Sequence, residues 1–241
     1  MHPLEITNAR KVFNQHTAID KVSCVFPEKT ITAIIGKSGC GKSTLLKLLN
    51  GLESPDEGEV LFLGQSLQTQ NINDARKKMG YAVQGTGLFP HLTLKQNITL
   101  VAELEQWSTH DIEQRLNFLS EIVQLESDLL TRYPHTVSGG QQQRAGLCRA
   151  MMLKPDILLL DEAFAAVDPI TRVEIHHHLL ALQSLEPRCI VMVTHDMREA
   201  ELLADRFLIM KAGTVTQQVT RSDIKKQYPE SSIEQWLLES L

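Results

Sequence analysis

Eight consecutive residues, Gly36-Lys37-Ser38-Gly39-Cys40-Gly41-Lys42-Ser43, fit the pattern G-x-x-x-x-G-K-[ST] and stand between an apolar run and a helix start. A loop of this kind cradles phosphates. Its glycines let successive backbone N–H groups turn toward an anion, and the following helix N-terminus adds partial positive charge. Lys42 is then placed to reach the β- and γ-phosphates of a nucleotide, with the Ser43 hydroxyl on Mg²⁺. A second constellation, Ile157-Leu158-Leu159-Leu160-Asp161-Glu162, delivers two carboxylates at the end of a buried strand, where ligands of open α/β sheets bind. Asp161 suits a Mg²⁺ held through water, and Glu162 suits accepting a proton from an attacking water.

The elements that must position these groups follow from periodicity. LEITNARKVF and SCVF read as strands, and TITAII is a β-branched run ending in glycine. KSTLLKLLNG places Leu45, Leu46, Leu48 and Leu49 at helical spacing and closes on Gly51. SPDEG is a turn, and EVLFL and GYAV are strands. From about Leu94 to Leu153 the pattern is helical; Ser108 and Asp111 open a helix carrying Ile112, Leu116, Leu119 and Val123. Strand (ILLL), helix (TRVEIHHHLLALQ), strand (CIVMV), helix (REAELLA) and strands FLIM and TVTQQV follow. This alternation predicts one α/β domain on a largely parallel sheet, with the helical stretch as an inserted subdomain.

Composition narrows the class. The 241 residues carry 42% apolar and 22% charged side chains, enough for a substantial core. A net charge of −5 argues against a nucleic-acid binder, which needs a clustered basic face. The apolar runs stop at about five residues, far short of the ~20 that span a bilayer. The first ten residues hold no signal-like apolar core, so a soluble, cytoplasmic chain is expected. Cys24, Cys40, Cys148 and Cys189 form no CxxC pair, so reduced thiols are expected rather than zinc or disulfides.

Between the two constellations stands Val137-Ser138-Gly139-Gly140-Gln141-Gln142-Gln143-Arg144, which resembles the signature motif of ATP-binding cassette (ABC) ATPases. The resemblance runs from Phe13 to about Gly213. It implies a P-loop NTPase (RecA-like) core with an antiparallel β subdomain and an inserted α-helical subdomain. The implied bounds are 1–84 and 155–220 for the core with its β subdomain, 85–154 for the insert and 221–241 for a C-terminal helical tail. It further implies ATP and Mg²⁺ as cofactors and a head-to-tail pairing of two copies. In that pairing Ser138, Gly139, Gly140 and Gln141 meet the ATP held by the partner's Gly36–Thr44 loop. Phe13 matches the aromatic residue that stacks on adenine, and Gln84 the glutamine that senses Mg²⁺ and the attacking water. Asp168 matches the loop that crosses the dimer interface, and His195 the switch histidine at the γ-phosphate.

The subfamily that this chain is most similar to is the ATPases of osmoprotectant importers for glycine betaine, carnitine or choline. The matching strings are Gly87-Leu88-Phe89-Pro90-His91, Gln96-Asn97-Ile98-Thr99-Leu100-Val101, Arg132-Tyr133-Pro134-His135 and Asp168-Pro169-Ile170-Thr171-Arg172. The implied partners are transmembrane permease subunits and, indirectly, a substrate-binding protein. The implied place is the cytoplasmic face of the inner or plasma membrane. Other cargoes, or a soluble ABC ATPase without a transporter, are the alternatives. The second usually has two cassettes or a long coiled-coil insertion, and this chain has one cassette and no heptad run.

The chain departs from the family pattern at Val137, at Ala163 where DEPF has proline, at Val167, and at Gly85 where a second glutamine is frequent. None removes a catalytic group, so activity is expected to survive. The 28 residues after Gly213 are too few for the paired CBS modules of many osmoprotectant ATPases, so direct sensing of ionic strength is not expected. His176-His177-His178 is expected to be a packing or solvated helix face, since adjacent helical residues point about 100° apart and cannot chelate one ion. Arg76-Lys77-Lys78 and Lys225-Lys226 are expected to be solvated. Ser231 is expected to cap a helix whose Ile233, Trp236, Leu237 and Leu241 pack back on the domain.

Overall fold

β-Branched and leucine-rich runs become the strands, and the leucines at helical spacing become helix faces, in a computed structural model that describes residues 2–83, 85, 87–165, 167–229 and 232–241. From the N-terminus come β1 (Leu4–Phe13), β2 (His16–Phe26), β3 (Ile31–Ile35), α1 (Lys42–Leu49), β4 (Glu57–Phe62), β5 (Gln65–Ser66) and α2 (Ile72–Lys77). Then follow β6 (Met79–Ala82), α3 (Leu94–Leu104), α4 (Thr109–Ile122), α5 (Gly139–Met151), β7 (Ile157–Asp161) and α6 (Pro169–Leu185). The remainder is β8 (Cys189–Val193), α7 (Met197–Leu203), β9 (Arg206–Lys211), β10 (Thr214–Thr220), α8 (Arg221–Gln227) and α9 (Ile233–Ser240). The chain divides into two compact units, Met1–Arg76 with Arg188–Leu241, and Lys77–Pro187.

The first unit holds an antiparallel sheet in the order β2-β1-β4-β5 and the strands β10-β9-β3-β8. β3 pairs in parallel with both β8 and β9, and every residue of β3 and β8 is buried. That double burial is why these strands read as continuous apolar runs rather than as alternations. The turn between β9 and β10 reaches the first sheet, since Asp20 N–H donates to the Gly213 carbonyl at 2.9 Å. α9 buries Ile233, Trp236 and Leu237 and packs on α7. The Ile233 N–H donates to Glu201 Oε1 at 3.0 Å, and Arg198 Nε lies 3.1 Å from Glu234. The packing role expected for this tail is therefore met, with Ser232 capping the helix through Gln235 N–H; Ser231 lies outside the described residues.

The second unit pairs β6 in parallel with β7 and packs α5 against α3, α4, α6 and β6. Ser108 caps α4 as expected, and Ile112, Leu116, Leu119 and Val123 are all buried. Arg115 on α4 clamps the far ends of two other helices. Its guanidinium takes both Glu186 oxygens at 2.6 and 2.7 Å and donates to the Met151 carbonyl at 2.8 Å. The Arg115 side chain is 4% exposed and that of Glu186 26%, so the pair is only partly shielded from water. Arg115→Ala is expected to cost about 2 kcal/mol, below the range for a fully buried pair, and to lower the melting temperature by about 4–8 °C. Thermal denaturation by circular dichroism checks it, and an unchanged melting point would remove the clamp. No helix among the described residues is long and apolar enough to cross a membrane.

Candidate functional site

In the first unit, β3 runs out at Ile35 into the loop Gly36–Gly41, and α1 begins at Lys42. Gly41 is the N-cap of α1 with φ +105°, and a Cβ there would sit 2.4 Å from the Ala18 carbonyl oxygen. Only glycine fits that backbone. Behind the loop, Gly213 N–H donates to the Cys40 carbonyl at 3.0 Å, and Cys40 N–H closes a turn onto Lys37 at 3.2 Å. The Lys42 side chain is buried, and its Nζ donates to the carbonyls of Gly36 at 2.8 Å and Lys37 at 3.1 Å. Lys37, Ser38, Gly39 and Ser43 are exposed, with Thr44 partly so. The first turn of α1 carries no acidic residue, so nothing there competes with an anion for the helix N-terminus.

The same unit brings His195 beside this loop. Ile34 pairs with Val193 in the β3–β8 ladder, and Thr194 N–H reaches the Ile34 carbonyl at 3.4 Å. His195 is exposed two residues past the ladder. Its backbone neighbours are locked. Thr194 is 2% exposed and its hydroxyl donates to the buried Glu199 carboxylate, while Asp196 caps α7 through the N–H groups of Arg198 and Glu199. Sequence reasoning missed the Thr194–Glu199 pair. No sequence signal marks it, since the burial of Glu199 is a property of the fold. Phe13, at the end of β1, is 39% exposed with the Lys11 ammonium 5.3 Å from its ring centre.

The second unit assembles the signature, the acidic pair and Asp168. Ser138 caps α5 in a reciprocal capping box: its Oγ accepts from Gln141 N–H at 3.2 Å, and its own N–H donates to Gln141 Oε1 at 2.9 Å. Ser138 and Gly139 are exposed and Gly140 is buried. Asp168 caps α6 by accepting from Thr171 N–H at 3.0 Å, and that backbone bond, with one from the Thr171 hydroxyl, holds its carboxyl below the usual range. Asp161 ends β7 at 8% exposed, and Glu162 follows with φ +46°. A left-handed residue ends the strand's alternation, so the two carboxylates are not forced onto opposite faces. Tyr81, which sequence reasoning did not single out, donates its hydroxyl to Asp161 Oδ2 at 3.4 Å; burial, then that carboxylate, pushes its pKa up to about 12.

Gln84 lies outside the described residues. The loop beyond it is pinned by Asn97 on α3, fully buried, whose amide accepts from Phe89 N–H at 2.7 Å and donates to the carbonyls of Phe89, Leu92 and Thr93 at 3.0–3.1 Å. That pinning leaves Phe89 44% exposed with His91 beside it at 5.9 Å between ring centres. The Arg132 carbonyl of the Arg132–His135 string accepts from Leu94 N–H at 2.8 Å, which ties that string to the start of α3. Of the histidine triplet, His176 packs edge-on to Phe164 at 5.3 Å, His178 is buried and His177 exposed. Burial, then the Arg144 charge, lowers the His178 pKa. The four cysteines are free and buried, and burial pushes Cys24, Cys148 and Cys189 up to about 12.

Comparison with known proteins adds to this geometry. Residues 19–165 match the family model described as ABC transporter. The chain is 42% identical over 215 residues to the glycine betaine uptake system ATP-binding protein YehX of Escherichia coli (strain K12), covering 89% of this chain and 70% of that protein. It is 38% identical over 235 residues to the glycine betaine/carnitine/choline transport ATP-binding protein OpuCA of Bacillus subtilis (strain 168), covering 97% of this chain and 62% of that protein. Among solved structures, a dimeric post-hydrolysis state of an ATP-binding cassette bound to ADP and Pi superposes with a TM-score of 0.81 at 28% identity, over 90% of this chain and 98% of that one. This chain thus spans between three fifths and three quarters of the length of those two relatives.

Proposed function

Because the chain belongs to the ABC transporter family, we propose that it binds and hydrolyses ATP as the cytoplasmic-face subunit of an importer whose cargo is a quaternary-amine osmoprotectant. The observation that carries the reading is the occurrence, in one chain, of the loop closed by Lys42, a helix opened by Ser138 and a left-handed Glu162 after β7. The relatives named for glycine betaine, carnitine and choline transport support the cargo class.

In this reading Lys42 exchanges its loop carbonyls for the β- and γ-phosphates, and the α1 N-terminus receives their charge. Phe13 offers a ring face to adenine. The Ser43 hydroxyl and the Asp161 carboxylate are hard oxygen donors of the kind that suits Mg²⁺, with the Gln84 amide as a third. Mg²⁺, when bound, offsets negative charge on the phosphate oxygens. Glu162 takes a proton from the attacking water as its oxygen bonds to the γ-phosphorus, and the bond to the β-phosphate oxygen breaks, leaving ADP and phosphate. His195 steadies the γ-phosphate. Ser138, Gly139, Gly140 and Gln141 close on the γ-phosphate bound by a second copy, and Asp168 crosses that interface. Loss of the γ-phosphate reopens the pair, because that group binds the closed and open states differently. The exposed Phe89–His91 turn, rigidly held by Asn97, is the surface offered to permease helices.

Uptake of labelled glycine betaine, carnitine and choline at high osmolarity tests the cargo. Cells lacking this chain are expected to lose uptake of at least one of the three, and to regain it with the wild-type chain. Unchanged uptake of all three, with purified chain still hydrolysing ATP, would discard the osmoprotectant class and keep the enzyme.

A further inference from the structure

We propose that Gln143 is a positioning residue that ties the Glu162 backbone to helix α5, whose first turn carries Ser138, so that the base is set only when α5 is in place. The inference rests on the reading of Glu162 as the base. Gln143 is 3% exposed, and its side-chain amide Nε2 donates to the Ala163 carbonyl, in the peptide group next after the one that joins Glu162 to Ala163. Its neighbours in the same motif turn elsewhere: Gln142 Nε2 toward the Val137 carbonyl at 3.3 Å, and Arg144 toward the Gln124 carbonyl at 3.4 Å.

The acidic loop needs such a restraint. Glu162 sits at φ +46°, a conformation that a non-glycine residue keeps only where the surroundings fix it. Ala165 N–H holds the Glu162 carbonyl at 3.2 Å from one side, and Gln143 holds the Ala163 carbonyl from the other. The acceptor is a backbone oxygen, so it survives the presence of Ala163 where the family pattern has proline.

The other end of the link is equally stiff. Gln143 lies five residues after Ser138, about 7.5 Å along the axis. The Ser138–Gln141 capping box fixes the first turn. Gly140 lies so near α6 that a Cβ there would be 2.3 Å from Thr171 Cγ2. A shift of α5 when Ser138 engages a partner's γ-phosphate is therefore passed to the peptide beside Glu162. The signature offered to one ATP and the base offered to another are joined through one amide.

Two variants of the full chain test this. Gln143→Met keeps length and loses the donor; Gln143→Glu keeps shape and can donate an O–H to the Ala163 carbonyl only when protonated. Steady-state ATP turnover from pH 8 to pH 6 is measured beside the KM for ATP. Q143M is expected to lose about 10-fold or more in kcat with little change in KM. The ratio of Q143E to wild-type turnover is expected to rise several-fold as pH falls, while the Q143M ratio stays flat. Wild-type turnover in Q143M, a loss confined to KM, or a flat Q143E ratio would each overturn the coupling. If Q143M fails to fold, the Q143E profile decides alone. A wild-type chain without ATPase activity would instead remove the underlying reading of Glu162.

Discussion

Glu162→Gln is expected to lower ATP turnover by about 10²-fold or more and to leave ATP-bound pairs closed. The substitution preserves shape and the strained backbone, but an amide cannot take the proton that the attacking water must lose. ATP binding is expected to persist, because Lys42 and the α1 N-terminus are untouched. The bound γ-phosphate then persists and continues to hold two copies together. Phosphate release measures the first effect, and size-exclusion chromatography with ATP the second. Full-rate hydrolysis by this variant would remove Glu162 as the base.

Lys42→Ala is expected to weaken ATP binding by about 10²- to 10⁴-fold, the value of about two charged hydrogen bonds at 1.5–3 kcal/mol each. The ammonium is preorganised: two loop carbonyls already hold it at 2.8 and 3.1 Å beside the α1 N-terminus. Alanine removes the charge that phosphate oxygens would meet and leaves the loop without its internal tie. Isothermal titration with ATP reads the loss directly. Unchanged affinity in a folded variant would place the phosphates elsewhere.

Much of this was legible in the sequence, for identifiable reasons. The Gly36–Ser43 loop is a local structure, and the runs on either side of it, Ile31–Ile35 and Leu45–Leu49, announce their burial by composition. Ser108 signals a helix start because capping is a contact across three residues. β2 was harder. Only SCVF reads as a strand, yet β2 starts at His16, because Lys21 at φ +50° and the register shifts opposite it break the two-residue alternation. α2 and α8 bury one side chain each, Ala75 and Ile224, so they have no periodicity to detect. Within the candidate site, residue identities were legible and partners were not. Gln143 meets Ala163, and Tyr81 meets Asp161, only because folding brings 20 and 80 residues of separation to contact. No spacing rule encodes that. The left-handed turn at Glu162 was equally hidden, since glutamate carries none of the preference for that region that glycine or asparagine has.

A head-to-tail arrangement requires that two chains inactive alone complement each other on mixing. One chain carries Lys42→Ala and the other Ser138→Arg, each expected to hydrolyse ATP negligibly alone. In a mixed head-to-tail pair one site inherits both defects and the other neither, so ATPase activity should return, from about a quarter of all sites at equal mixing. Hydrolysis that stays absent at every ratio, with both variants folded and mixed pairs formed, would contradict the shared site. Lys42 and Ser138 would then have to serve the same ATP within one copy.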